Sequence, residues 1–254
     1  MPNIYETDRL LAEYLLFHYG TAEETLPYKS GPAKALDFPA RCAKLCFDSK
    51  ASKLHPRARA LDVGCAVGRS TFELARRCES VTGIDFSHRF IAAAIELKKT
   101  GTHWFRKLEE GARTTECTAR VPVDIRRENI SFETGDAMEL RDDLGEFDIV
   151  LAANLLCRLP DPAKFLVRLP RLVKPGGRLV ITTPCTWMEE FTPRANWLCS
   201  ENSTTLDGLH HHLAPHFDLV KTLDLPFLIR EHARKFQWTV AQASVWTRKK
   251  TAKP

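Results

Sequence analysis

Residues 61 to 70 read LDVGCAVGRS: a short apolar run ending in an acidic residue, two glycines four apart, and the start of a helical pattern. This strand, turn and helix unit constrains the chain more than any other feature. Glycine permits a tight turn and close backbone approach, and a helix N-terminus offers unbonded N–H groups. The unit then recurs. ALDV (60–63) leads to a helix through Leu74, VTGID (81–85) to a helix through Leu97, and ISFET (130–134) and FDIVLAAN (147–154) to a helix from Asp161 to Val173 and RLVITTP (178–184). Strands alternating with helices predict an α/β fold with a parallel sheet covered on both faces. Right-handed crossovers then bring the carboxyl ends of the strands to one edge, where open α/β sheets bind ligands. Two long strands, Phe217–Glu231 and Lys235–Thr247, have only HAR between them and must form an antiparallel hairpin. The last strand of a mostly parallel, seven-stranded sheet is therefore reversed.

The first twenty residues predict an amphipathic helix capped by Thr7, with Leu10, Leu11, Tyr14, Leu15 and His18 recurring at three and four, and Gly20 as a stop. Pro27 and Pro32 punctuate the next stretch, and Pro39 suits the first turn of a helix whose apolar face holds Cys42, Leu45 and Cys46. The expected division is a helical N-terminal extension or lid at 1–57 and a second unit at 58–254. Within the latter, the polar stretch 101–128 is too long for a connection and reads as an insertion. After Pro184 a polar, aromatic stretch runs to Ser203, and then a helix covers Thr204–Leu213.

Composition excludes several classes. With 44% apolar residues over 254 positions, the chain buries a full core and is not disordered. Its apolar runs fall far short of the ~20 residues that cross a bilayer, and MPNIYETDRL lacks signal-peptide order, so a cytoplasmic protein without membrane association is expected. A charge of +5 without a basic, aromatic-studded face does not imply nucleic acid, and the basic tail Arg248–Lys253 reads as a solvated end. The eight cysteines hold no C-x-x-C and read as reduced, with Cys42 and Cys46 as core rather than a redox pair. No metal is expected at His210–His212 and His216: consecutive helical side chains diverge by about 100°, and Pro215 interrupts.

A dinucleotide fingerprint in LDVGCAVGRS needs glycines at 66 and 69, where the chain has Ala66 and Arg69, which disfavours a nicotinamide cofactor. The spacing instead resembles motif I of class I S-adenosylmethionine-dependent methyltransferases, with Asp62, Gly64 and Gly68 matching and Ala66 replacing the middle glycine. A Rossmann-like methyltransferase fold follows from that resemblance. Asp62, Gly64, Cys65, Ala66, Gly68, Phe86, Ala137 and Asn154 would line the cofactor, with Asp85 at its ribose and Asp136 at its adenine. At successive strand ends, Asp85 suits two ribose hydroxyls and Asp136 an adenine amino group, and a PGG turn (175–177) precedes the fifth strand.

A narrower resemblance lies outside these motifs. IYETDRLLAEYLLFHYG (4–20), GIDFSHRFI (83–91), DIVLAANLLCRLPDPAKFL (148–166), TPCTWMEEFTPRANWL (183–198) and LPFLIREHARKFQ (225–237) are similar to the methyltransferase domain of ovothiol biosynthesis. In that family the domain, commonly fused behind an iron-dependent sulfoxide synthase, methylates an imidazole nitrogen of mercaptohistidine. The likeness runs from Ile4 to about Arg248. It has no counterpart of the iron-dependent domain here, so it implies methyl transfer alone, with a separate sulfoxide synthase as a candidate partner. Cys157 stands where the family more usually has Asp, and Cys199-Ser200 where glycines are common.

Methyl transfer from a sulfonium is an in-line displacement in which binding geometry dominates, and no catalytic base is assigned. Acceptor-binding candidates project from the carboxyl ends of strands four to six: Asn154 and Arg158, then Trp187, Glu189 and Glu190, then Arg230 and His232. Arg230 is assigned to a substrate carboxylate, with an ion pair to Glu231 or a nearby surface acid as the alternative. Tyr14 and Tyr19 either form a lid over the acceptor or serve to pack the N-terminal helix on the sheet, which is the simpler explanation. The readings that compete are another small amine or acid as acceptor and a non-catalytic module that binds S-adenosylmethionine to regulate a partner.

Overall fold

The structure is a computed structural model that describes residues 4–47, 55 and 57–250. Part of the N-terminal extension (48–54 and 56) and the end of the basic tail (251–254) lie outside the described residues. In chain order the strands are β1 (Arg59–Val63), β2 (Ser80–Asp85), β3 (Thr102–Glu110), β4 (Arg113–Arg120), β5 (Ile130–Thr134), β6 (Phe147–Ala153), β7 (Val173–Thr183), β8 (Phe217–His232) and β9 (Lys235–Arg248). The helices are α1 (Asp8–Tyr19), α2 (Ala22–Thr25), α3 (Phe38–Leu45), α4 (Arg69–Leu74), α5 (His88–Thr100), α6 (Pro162–Leu172) and α7 (Thr205–Leu213).

Seven strands form one sheet in the order β5-β2-β1-β6-β7-β9-β8, parallel except for β9, which pairs antiparallel with β7 and β8. β1 sits between two parallel neighbours, which is why Ala60–Val63 are all buried. Alternate residues face opposite layers. Ala60, Ile149, Leu151 and Val180 pack with α1, α3, α4 and α5, whereas Leu61, Val150, Leu179 and Trp246 pack with α6 and α7. Cys42 and Cys46 are buried in the first of these layers. Among the described residues no helix is long and apolar enough to cross a membrane.

Local chemistry sets the helix ends. Thr7 and Ser87 accept N-terminal N–H groups of α1 and α5, and Thr204 forms a capping box with Asp207 at α7. Gly20 ends α1 as its sequence position suggests.

Two features extend beyond the expected sheet. The insertion folds as a separate two-stranded hairpin, β3–β4, joined to neither edge of the main sheet. The β8–β9 hairpin also outruns its neighbours. Asp224 is level with Gln242, and Gln242 with Thr183 at the end of β7, so the six residues on to Arg230 carry β8 about 20 Å past the carboxyl edge. This projecting arm, the β3–β4 hairpin and α1 pack on one another as a roof over that edge.

Candidate active site

The loop after β1 is the centre of the carboxyl edge. Gly64 and Cys65 donate their N–H groups to Ile84 O (2.8 and 3.0 Å), and Gly68 caps α4 with φ +86°. A Cβ on Gly68 would come within 2.7 Å of the Phe132 ring, so both conformation and space require glycine. Ala66 takes a left-handed φ of 47°. Such a conformation costs a residue with a Cβ about 1 kcal/mol. The replacement of the middle glycine is thus a strained one.

Asp85, at the end of β2, accepts from Ala66 N (2.8 Å) through one oxygen and from Ser87 N (2.9 Å) through the other, each oxygen keeping a further lone pair. Burial, only partly opposed by these N–H donors, pushes its carboxyl up to about 6. Asp62 is fully buried in β1, where one oxygen accepts from Ser70 Oγ and Thr71 Oγ1 (2.6 and 2.7 Å). Its other oxygen has no partner among the described residues, and burial raises this carboxyl to about 6 as well. Phe86, the next residue after Asp85, is 63% exposed at the edge. Asp136 accepts from Met138 N (2.8 Å) with one oxygen, and Ala137 beside it is buried.

On the far side of β1, Asn154 is also left-handed (φ 53°), its N–H donating to Thr182 O (2.8 Å) and its Oδ1 accepting from Thr182 Oγ1 (2.9 Å). Cys185 repeats this conformation after β7 (φ 54°). Three of the four non-glycine residues with positive φ among the described residues therefore follow β1, β6 and β7 at one edge. Strain of this kind persists where surrounding structure over-determines it, and functional sites are where it concentrates.

No pattern in the sequence signals how the N-terminus enters. Tyr5 lies in a 3-10 turn (Ile4–Glu6); its carbonyl accepts from Ser87 Oγ (3.1 Å), and its ring packs edge-on against Tyr14 and Phe90. Burial raises its phenol above the ordinary value, with the adjacent Arg158 guanidinium opposing. The Glu6 carboxylate accepts the first N–H groups of α5, from His88 (2.8 Å) and Arg89 (3.3 Å). Tyr14 lies against Phe90 and Tyr5 and close to Asp85. Arg158 is half-buried: its Nη1 donates to Cys157 O (3.0 Å) and Thr186 O (3.3 Å), and its guanidinium lies over Phe191. Tyr5, Tyr14, Asp85 and Arg158 form one polar cluster beside the glycine loop.

Several expected acceptor contacts are placed elsewhere. The carboxylate role drawn for Arg230 does not fit. The side chain is buried, with its guanidinium on Glu109 (2.6 Å) and the Glu24 carbonyl, joining the projecting arm to β3 and α2. The cause is the length of β8, which carries the residue past the edge where its apolar run was expected to end. His232 lies at the tip of the same arm, accepting from Arg234 N. Tyr19 donates its hydroxyl to Val67 O (2.8 Å) instead of facing an acceptor. Trp187 bonds Thr205 Oγ1 (2.9 Å) and stacks on Trp197, anchoring its loop, and Glu189 and Glu190 are exposed.

Comparison with known proteins agrees with this architecture. Residues 61–181 match a family described as "Methyltransferase domain", and residues 124–241 match a second family of the same description. The chain is 28% identical over 195 residues to 2-methyl-6-phytyl-1,4-hydroquinone methyltransferase of Synechocystis, covering 76% of this chain and 53% of that one. It is 35% identical over 126 residues to ubiquinone biosynthesis O-methyltransferase of Dechloromonas aromatica, covering 49% and 44%. The chain thus spans about half the length of the curated relatives it matches. Among solved structures, the N-methyltransferase NodS of Bradyrhizobium japonicum in complex with S-adenosyl-L-homocysteine superimposes with a TM-score of 0.53 at 15% identity, covering 94% and 98% of the two chains. The [4+2]-cyclase SpnF does so with a TM-score of 0.56 at 17% identity, covering 95% and 93%.

The fold is the Rossmann-like fold of class I methyltransferases, with seven strands and the last one antiparallel. More narrowly, the chain carries a methyltransferase domain whose cofactor is S-adenosylmethionine. The edge suits that group: Asp85 keeps acceptor capacity for a diol, Asp62 holds an orphaned buried oxygen, and Gly64, at φ +75°, turns the loop tightly against Leu155, which a Cβ there would approach to 3.1 Å.

Proposed function

We propose that this protein transfers a methyl group from S-adenosylmethionine to an imidazole nitrogen of mercaptohistidine, giving ovothiol. The observation that carries the acceptor is the likeness of five separate segments, from Ile4–Gly20 to Leu225–Gln237, to the methyltransferase domain of ovothiol biosynthesis. S-adenosylmethionine supplies the electrophilic methyl carbon when bound. Asp85 takes the ribose hydroxyls, Phe86 and Asp136 with Ala137 border the adenine, and Asp62, Gly64, Cys65, Ala66, Gly68 and Asn154 frame the rest. Arg158, with Tyr5 and Tyr14, faces the acceptor. A half-buried guanidinium suits an acceptor that carries a thiolate or carboxylate, and favours the ionised form in which the ring nitrogen is most nucleophilic. The 3-10 turn and α1 exclude water from above. No residue is assigned as a base, since a thiolate on the ring leaves a product that pairs it with the methylated imidazolium. A sulfoxide synthase acting upstream of the thiolated histidine is the partner this reading implies.

A second reading is methylation of a hydroquinone-like acceptor, favoured by the similarity to a hydroquinone methyltransferase and to a ubiquinone biosynthesis O-methyltransferase. Incubation with S-adenosylmethionine and a panel of mercaptohistidine, histidine, an ergothioneine-like thione and a hydroquinone, with products identified by mass and fragmentation, separates the two. The imidazole reading expects mercaptohistidine to gain one methyl on the ring, with histidine a poor substrate because a site built for a polar group rejects an analogue lacking it. Methylation of the hydroquinone alone would establish the second reading. Comparable specificity constants for histidine and mercaptohistidine would leave only a broader amine acceptor.

A further inference from the structure

The strained Ala66 and the buried Tyr19 hydroxyl belong together. Ala66 is the loop residue that most needs holding, because its φ of 47° is one that side chains with a Cβ rarely adopt. On its N–H side the loop is held by Asp85, through the 2.8 Å bond to Ala66 N. On the other side the next residue, Val67, is held through its carbonyl, and the donor comes from 48 positions upstream: the Tyr19 hydroxyl, at 2.8 Å and buried. A second link fixes the donor itself. Arg69 Nη1 donates to the carbonyl of His18 (3.1 Å), its guanidinium lies over the Tyr19 ring, and its Nε is held by Glu73 (2.9 Å). The first residue of α4 thereby ties down the last turn of α1.

We infer that Tyr19 is a positioning residue for the cofactor: its hydroxyl, bonded to Val67 O, keeps the loop at Ala66 in the left-handed shape that the cofactor-binding edge requires, a task that a glycine at 66 would make largely unnecessary. The helix α1 is on this account part of the cofactor site, and an alanine in the motif is tolerated because a residue outside the motif braces it. The inference rests on S-adenosylmethionine occupying the edge next to this loop. It leaves the choice of acceptor open.

The test is a double-mutant cycle read by calorimetry with S-adenosylhomocysteine. Tyr19→Phe keeps the ring over Arg69 and removes only the hydroxyl. In the parent background it is expected to weaken binding about fivefold, the order of one neutral hydrogen bond. In the Ala66→Gly background the same substitution is expected to weaken binding less than twofold. A brace that serves only general packing would give equal losses in the two backgrounds, and that result, or no loss in either, overturns the inference. Hydrogen exchange on the free protein supplies a readout without ligand. The amides of Gly64, Cys65 and Gly68, all hydrogen-bonded within the loop or to Ile84, should exchange faster in Tyr19→Phe. Unchanged protection overturns the inference even if the parent protein binds no S-adenosylhomocysteine, an outcome that would instead remove the cofactor reading. Should Tyr19→Phe fail to fold, Tyr19→Phe with Ala66→Gly must fold, and failure of both is equally fatal.

Discussion

The glycine loop and the roof above it solve different problems with different ranges of contact. Ala66 reaches its carboxylate, Asp85, across 19 positions, and the strand ends that frame the loop belong to adjacent βα units. Arg230 in the roof reaches Glu109 across 121 positions and the Glu24 carbonyl across 206. The edge is assembled from turns and backbone N–H groups that nearby residues dictate. The roof exists only because β8 and β9 outrun the sheet and meet an insertion and an N-terminal helix. Cofactor affinity should therefore depend on the first region together with the Tyr19 hydroxyl that α1 lends it, and the stability of the enclosure on the second.

The largest expected effect is at Gly68. Gly68→Ala forces a Cβ into the Phe132 ring at a φ of 86°, and the clash together with the strained dihedral should cost about 3 kcal/mol of stability. Binding of S-adenosylhomocysteine should be lost with it. Urea unfolding and calorimetry report the two. A stable variant that binds normally would break the claim that the edge is built on this turn.

Next is Glu109→Ala, which leaves the Arg230 guanidinium buried without its carboxylate. Breaking such a pair typically costs about 3 kcal/mol or more, and here Lys107 also loses its partner. Against the burial that opposes them, Lys107 and Arg230 now hold the Glu109 carboxyl below its ordinary range. The variant should lose stability in urea while its affinity for S-adenosylhomocysteine stays within about threefold, a free-energy change under about 1 kcal/mol. An affinity loss as large as that of an edge variant would erase the distinction between the two regions.

Asp85→Ala is expected to do the reverse, weakening S-adenosylhomocysteine binding about 10 to 100-fold by removing charged hydrogen bonds worth roughly 1.5 to 3 kcal/mol. The same carboxylate sharpens the comparison through pH. Burial raises Asp85 and Asp62 from an ordinary 3.8 to about 6. Because the folded values lie above the unfolded ones, their contribution to the stability of the free protein is full below about pH 4 and is lost as pH rises through about 6. Cofactor binding calls for the ionised forms and runs the other way. Affinity should fall as pH drops below about 6, by up to tenfold per unit for each proton that must leave. Titration calorimetry between pH 7.5 and 5 checks this, and a flat profile would show that neither carboxylate faces the cofactor.

The smallest effect is Ala66→Gly alone. Relief of the left-handed strain is partly offset by the greater freedom of glycine in the unfolded chain, leaving a gain of about 0.5 kcal/mol. Thermal melting of the free protein measures it, and a clear loss would mean that Ala66 is not strained.

Legibility in the sequence divides along the same line. Asp62, Gly64, Gly68 and Asp85 could be placed because a strand that ends in an acidic residue and turns through glycine into a helix is specified by its own residues, and parallel crossovers put such ends side by side. The cap at Thr7, the start of a helix at Thr204 and the C-terminal hairpin were legible for the same reason: short spacing fixes them. Arg230 was misplaced because an apolar run followed by an arginine looks the same whether the strand stops at the sheet edge or continues past it. Only the register with β9 and β7 distinguishes the cases. Tyr5 and Glu6 carry no local pattern that announces their contacts with Ser87 and the start of α5.

Periodicity and turn chemistry act over a few residues, and they were enough to specify the doubly covered sheet, the order of its acidic strand ends and the edge where the glycine loop meets them. Which long side chains reach that edge was settled by packing alone: Arg158 and Tyr14 do, while Arg230 closes the roof and Tyr19 braces the loop. An ion pair or buried hydroxyl bond depends on where two distant segments come to lie. No spacing along the chain encodes that distance until the sheet, the insertion and the N-terminal helix have packed together.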